Sequence, residues 1–107
     1  MKKQTAKHYR QGDVLITRVS SIPATAKRVE KPGRVILALG EATGHHHSLP
    51  ENAATKYEDG PASYIEIAEA LAMLEHQEHS TIELPRGKYR VTIQREYSPE
   101  AIRNVQD

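Results

Sequence analysis

The stretch KYRVTIQREY, residues 88–97, decides the fold class. Its residues alternate along a strand: Tyr89, Val91, Ile93, Arg95 and Tyr97 share one face, and Lys88, Arg90, Thr92, Gln94 and Glu96 the other. Tyr89, Val91 and Ile93 read as core. Arg95 and Tyr97 fall at the strand's end, where a guanidinium and a phenol can escape the core and line a pocket mouth. Just upstream, Pro85-Arg86-Gly87 is turn chemistry, so residues 81–84 and 88–97 are expected to form a hairpin.

Working outward, SYIEI (63–67) alternates as a strand, with Tyr64 opposite Ile65 and Ile67. RVILAL (34–39) is the most apolar segment and is expected at the centre of a sheet, while DVLITRV (13–19) and residues 55–58 read as further strands. AEALAMLE (68–75) has helical propensity but no N-cap, and Leu71, Met73 and Glu75 also fit period 2, so it is expected to be extended. Ser98-Pro99-Glu100 is a helix start, with Ser98 as N-cap and Pro99 at the first helical position. Residues 1–12 are polar and basic and read as a flexible arm. The expectation is one mostly-β domain over 1–107, a small barrel or sandwich with a short C-terminal helix.

Composition narrows the chemistry. A chain of 107 residues supports one core, and with no Phe or Trp that core is thin, so dimerisation is an economical way to bury more surface. The absence of Cys excludes disulfides, thiolate catalysis and thiolate metal sites. No apolar run approaches the roughly 18 residues of a membrane-spanning helix, which together with the missing Cys suggests a cytoplasmic protein. A net charge of +1 argues against bulk binding to duplex DNA. The charge is nonetheless segregated: residues 1–34 carry nine Lys and Arg against Asp13 and Glu30, and residues 35–85 carry Lys56 against nine acids.

Three features carry chemistry. On an extended Gly44-His45-His46-His47 segment, His45 and His47 point to one face, about 6.5–7 Å apart along the strand, and His46 to the other. Such a pair can hold one metal ion or divide acid and base duties; the bland alternative is a solvated polar loop. His76 and His79 lie together on a helical turn and face opposite ways on a strand, and their spacing is not that of the HExxH zincins. Arg95 and Tyr97, with Lys88, suit a phosphate and a stacked base, whereas a salt-bridged strand end is the plainer reading. His8, Tyr9, Arg10 and Gln11, before the first strand, could cover such a site, although such an arm is more often simply mobile.

Two resemblances follow from these motifs. G-x4-H-x-H-x3-E over 40–51 resembles the first metal motif of cupins, one residue short between the Gly and the first His. Pro85-Arg86-Gly87 is similar to the PxG of the second motif, but Tyr89-Arg90 stand where cupins carry their last His ligand. A broader pattern joins QGDVLI (11–16), GEATGHHH (40–47), the HxxH of 76–79, LPRGKYRV (84–91), QREYSP (94–99) and IRNVQD (102–107). It resembles a family of small bacterial and phage proteins similar to the dimeric ring nucleases that degrade cyclic oligoadenylate messengers in CRISPR defence. That resemblance implies a homodimer with a cyclic oligonucleotide at its interface.

The leading expectation is therefore a ring nuclease, a metal-independent phosphodiesterase with no cofactor. His45 and His47, with His79 and Tyr97, would exchange protons with the RNA, and each such proton transfer is typically worth 10²–10⁴-fold. Arg95, Lys88, Tyr9, Arg10 and His76 would bind substrate, and the products would carry 2′,3′-cyclic phosphates. The alternatives are a cupin-like protein with a divalent metal held by His45, His47 and His79, and a non-enzymatic interaction module.

Overall fold

The computed structural model describes residues 7–39 and 44–94. These residues form a small, mostly-β domain whose main sheet curls into a half-barrel. Eight strands follow in order: β1 (His8–Gln11), β2 (Val14–Val19), β3 (Lys27–Arg28), β4 (Val35–Leu39), β5 (His46–Leu49), β6 (Thr55–Asp59), β7 (Ala62–Leu74) and β8 (Ile82–Ile93). Six make one antiparallel sheet in the order β1-β2-β8-β7-β6-β3, and β4 and β5 pair separately. No helix among the described residues is long and apolar enough to cross a membrane.

Alternation fixes the inner face. Val14 and Ile16 of β2, Ile65, Ile67 and Leu74 of β7, and Leu84, Tyr89 and Val91 of β8 are buried together. Removing these side chains from water is the main stabilising term, about 1.5–3 kcal/mol for each large aliphatic residue. Leu37 and Leu49 of the β4–β5 pair close over the same cluster. With no Phe or Trp available, Tyr89 fills the widest space. Its buried hydroxyl donates to Pro85 O (2.6 Å) and accepts from Arg18 Nη2 (2.8 Å). Burial pushes the phenol above its usual pKa, against the pull of the Arg18 guanidinium.

Several expectations need correction. Residues 81–84 and 88–97 do not form a hairpin: Pro85-Arg86-Gly87 lies inside the continuous strand β8. The sheet absorbs this irregularity with a bulge, since Ile67 registers with Gly87 and Leu71 with Pro85, leaving three residues of β7 opposite one of β8. The real hairpin joins β7 to β8 through residues 75–81. The apolar segment at 34–39 is not central, because it pairs only with β5 and leaves Leu39 67% exposed. Within the expected arm, His8–Gln11 form an edge strand paired with β2. A two-residue loop makes this possible: Gly12, at φ 60, takes the first loop position, as type II′ hairpins prefer. The expected C-terminal helix and residues 1–6 lie outside the described residues. Residues 68–74 are extended, as the period-2 reading expects.

Candidate functional site: a histidine cluster

Three segments distant in sequence meet where the curl of the sheet brings the two ends of β8 together. The first is the turn between β1 and β2, Gln11-Gly12-Asp13. The second is the start of β5 with His45 before it, and the third is the connection 75–81. Backbone pairing docks the second on the third: Ser48 N donates to Glu75 O (3.0 Å) and Glu75 N to Ser48 O (2.8 Å). Arg34 reinforces the joint, donating to Ser48 Oγ (2.8 Å) and to Glu75 Oε1 (2.6 Å). Alternation along β5 then sorts the histidines as expected. His46 turns to Ser48 Oγ (2.9 Å) and Gln77, while His45 and His47 turn to the His76 ring.

Gln11 ties the first segment to the third. Its buried amide nitrogen donates to Leu74 O (2.8 Å) and Ser80 O (2.9 Å), which uses both amide hydrogens. The amide oxygen must therefore accept, and its partner is His47 Nδ1 at 2.9 Å. This chain of bonds fixes the tautomer: neutral His47 carries its proton on Nδ1 and presents a lone pair on Nε2. Nε2 lies 3.6 Å from Asp13 Oδ1. The His47 side chain is almost wholly buried, whereas His79 is exposed.

His76 occupies the middle of the cluster. Its ring lies 4.3 Å from that of His47, 4.6 Å from His79 and 5.6 Å from His45. Its Nδ1 accepts from the backbone N–H groups of Glu78 (3.0 Å) and His79 (3.3 Å), so the neutral ring carries its proton on Nε2. Burial lowers its pKa below 6.5, and the neighbouring His79 and His45 lower it further, partly opposed by Glu78. The rings of His47 and His79 are near parallel, 5.9 Å apart at 16°. His45 Nδ1 faces Glu78 Oε2 at 3.6 Å.

Gly12 forms the floor. A Cβ there would stand 2.6 Å from His79 Nε2 and 3.2 Å from His47 Cε1. Only glycine both adopts the positive φ and leaves these rings their place.

Four of the expected site residues thus come together: His45, His47, His76 and His79. Others do not join them. Tyr9 packs edge-on against Tyr89, ring centroids 6.1 Å apart, and belongs to the core rim. Arg10 turns to Gly12 O (3.5 Å) and to Gln94 Oε1. Lys88 registers with Val19 and Glu66, at the opposite end of β2 from Asp13, roughly 20 Å away at about 3.3 Å per residue. Arg95 and Tyr97 lie outside the described residues. Sequence reasoning gave Gln11 only as part of an arm that could cover a site, and missed Gly12 and Asp13 as neighbours of the histidines. Their one signal is a Gly between two polar residues where a strand begins, which reads equally well as an ordinary turn.

Among the described residues, no three His, Asp or Glu side chains stand as a ready-made ligand set; the rings lie against one another instead. Chemically, the cluster offers lone pairs of neutral imidazoles, with carboxylates of Asp13 and Glu78 beside them. No curated protein and no solved structure matches the chain. Residues 10–94 match the family described as Domain of unknown function (DUF8820), and the chain belongs to that family.

Proposed function

We propose that the chain is a metal-binding protein whose centre is built from His45, His47 and His79, with Asp13 as an oxygen donor. The observation that carries this reading is the His47 environment. Its Nδ1–H is spent on a locked Gln11 amide, so Nε2 is presented as a lone pair beside a carboxylate, the outer-shell arrangement of metal-bound histidines. The 3.6 Å between His47 Nε2 and Asp13 Oδ1 is close to the roughly 3.3 Å separating two donors of one tetrahedral ion at about 2.0–2.1 Å. His76 is not assigned as a ligand, because its Nδ1 serves the backbone and its Nε2 carries the proton. Closing the set requires side-chain rotation of both His45, which faces His76 and Glu78, and exposed His79, neither of which sits in a strand. An imidazole-rich set with one carboxylate suits zinc, iron(II), nickel or manganese. Such an ion supplies Lewis-acid polarisation, or activation of a bound water, at an open position.

The test is elemental analysis of protein purified without chelators, with zinc-dependent thermal shifts on the EDTA-stripped chain. The expected result is one ion per chain and a Tm increase of roughly 10–20 °C at a hundredfold excess over Kd. Both should be lost in a His47→Ala/His79→Ala variant. A chain that retains no ion and shows no shift with any of the four metals refutes the reading.

A second reading is favoured by the same fixed tautomer. His47 Nε2 is poised as a general base beside half-buried His76 and exposed His79, and His47 with His79 is one of the proton-exchanging pairs expected for a metal-independent phosphodiesterase. In that reading a homodimer cleaves cyclic oligoadenylate in the cytoplasm without metal. Cleavage of cyclic tetra-adenylate in EDTA, abolished by His47→Ala, would establish it over the first.

A further inference from the structure

A second cluster of charged residues lies at the far end of β2, beside the middle of β8 and away from the histidines. Here the basic residues of the chain's first and last thirds meet. Arg18, on the inner face of β2, is admitted by Gly87 of β8, where a Cβ would stand 3.1 Å from Arg18 Cζ. The guanidinium lies 5.0 Å from the Tyr89 ring centroid, and its Nη1 donates to Arg86 O (3.3 Å). Its Nε–H is buried without a partner among the described residues. Arg86 uses Nε on Ala68 O (2.8 Å), and its terminal nitrogens make no hydrogen bond among the described residues. Lys88 forms no ion pair among the described residues, although Glu66 is its register neighbour on β7.

These three cations and Glu66 line a cleft of about 590 Å³. Glu66 and Lys88 also wall a neighbouring cleft of about 320 Å³, whose remaining lining includes Ile22, Pro23 and Tyr57. The pair of clefts is therefore cationic at one end and apolar with an aromatic ring at the other, within the size range of small-molecule sites. Guanidinium groups bind phosphate oxygens in bidentate fashion. A tyrosine edge and a proline offer a wall for a planar base. The shared Glu66 carboxylate stands between them as an acceptor for sugar hydroxyls.

We infer that this double cleft binds a nucleoside monophosphate, with the phosphate at Arg86 and Lys88, Arg18 bracing the Arg86 carbonyl from the inner face, and the base against Tyr57 and Pro23. The occupant is a free nucleotide or the terminal residue of a short oligonucleotide.

The experiment is calorimetric titration of the full chain with AMP, adenosine and inorganic phosphate as separate probes, in EDTA so that the histidine centre plays no part. AMP should bind, and adenosine and phosphate should each bind at least about tenfold more weakly, since each engages only one cleft. An Arg86→Gln/Lys88→Gln variant, which touches no core side chain, should weaken AMP at least about tenfold. Arg86→Lys with Lys88 retained should recover part of that loss, and Tyr57→Ala should weaken AMP but not phosphate. Undiminished AMP affinity in the double glutamine variant overturns the inference. So does phosphate binding as tightly as AMP, or no AMP binding by the wild-type chain.

Discussion

Gly12→Ala separates the stability of the fold from the assembly of the histidine cluster, and Gly60→Ala is its control. Both glycines have φ +60, but a Cβ at Gly60 meets nothing within 4 Å, whereas one at Gly12 falls 2.6 Å from His79 Nε2. The backbone cost is common to both, about 1 kcal/mol for placing an L side chain in the left-handed region. Either variant should lose roughly 4–8 °C in Tm. The steric cost differs: the methyl intrudes about 0.8 Å inside ordinary 3.4 Å contact with His79. That ring is the exposed, free end of a side chain, so it swings away at little expense to the fold. What it loses is its place beside His47. In EDTA, urea unfolding should give the two variants the same stability within about 0.5 kcal/mol. In zinc competition against a chromogenic chelator, Gly60→Ala should match wild type. Gly12→Ala should bind at least 10–100-fold more weakly, the scale seen when support of a metal ligand is removed. Wild-type zinc affinity in Gly12→Ala would refute the geometry on which the centre rests.

Two further outcomes follow. The folded chain holds the pKa of His76 below 6.5, so between that lowered value and 6.5 the unfolded chain binds more protons. Stability of the EDTA-stripped protein should therefore fall as pH drops through 6.5 and level off below the folded value, and His76→Asn should flatten the curve; an unchanged curve would contradict the burial argument. Tyr89→Phe leaves Pro85 O without its donor and Arg18 Nη2 without its acceptor, and should cost about 1–3 kcal/mol in urea unfolding; a loss near zero would show that water replaces the hydroxyl.

Much of this was legible from period-2 alternation. That pattern located β7 and the last part of β8, and it sent His45 and His47 one way and His46 the other, while apolar β-branched runs and the turns that bound them located β2, β4 and β6. It failed where composition and topology conflict. Pro85-Arg86-Gly87 carries turn chemistry, yet the opposing strand makes room with a bulge, a long-range accommodation that no local window reveals. The apolar run at 34–39 suggested the centre of a sheet. Its partner strand is the short β5, and burial is delivered by packing Leu37 onto the main sheet rather than by neighbours on both sides. In the cluster the histidines were visible as residue types. The Gln11 amide that sets the His47 tautomer was not, because its role depends on two carbonyls, Leu74 and Ser80, more than sixty residues away.

The two-stranded ribbon of β4 and β5 has a mechanical implication. It meets the rest of the backbone through the reciprocal Ser48–Glu75 pair, and Leu37 and Leu49 are its main apolar anchors. With a single backbone seam to the sheet, its amides should exchange hydrogen faster than those of β7 and β8. His47 lies on that ribbon with His45 just before it, and Asp13 and His79 lie on turns of the main sheet. An occupant gripped by both would act as a clasp, tying positions 13, 47 and 79 together and holding the ribbon against the sheet.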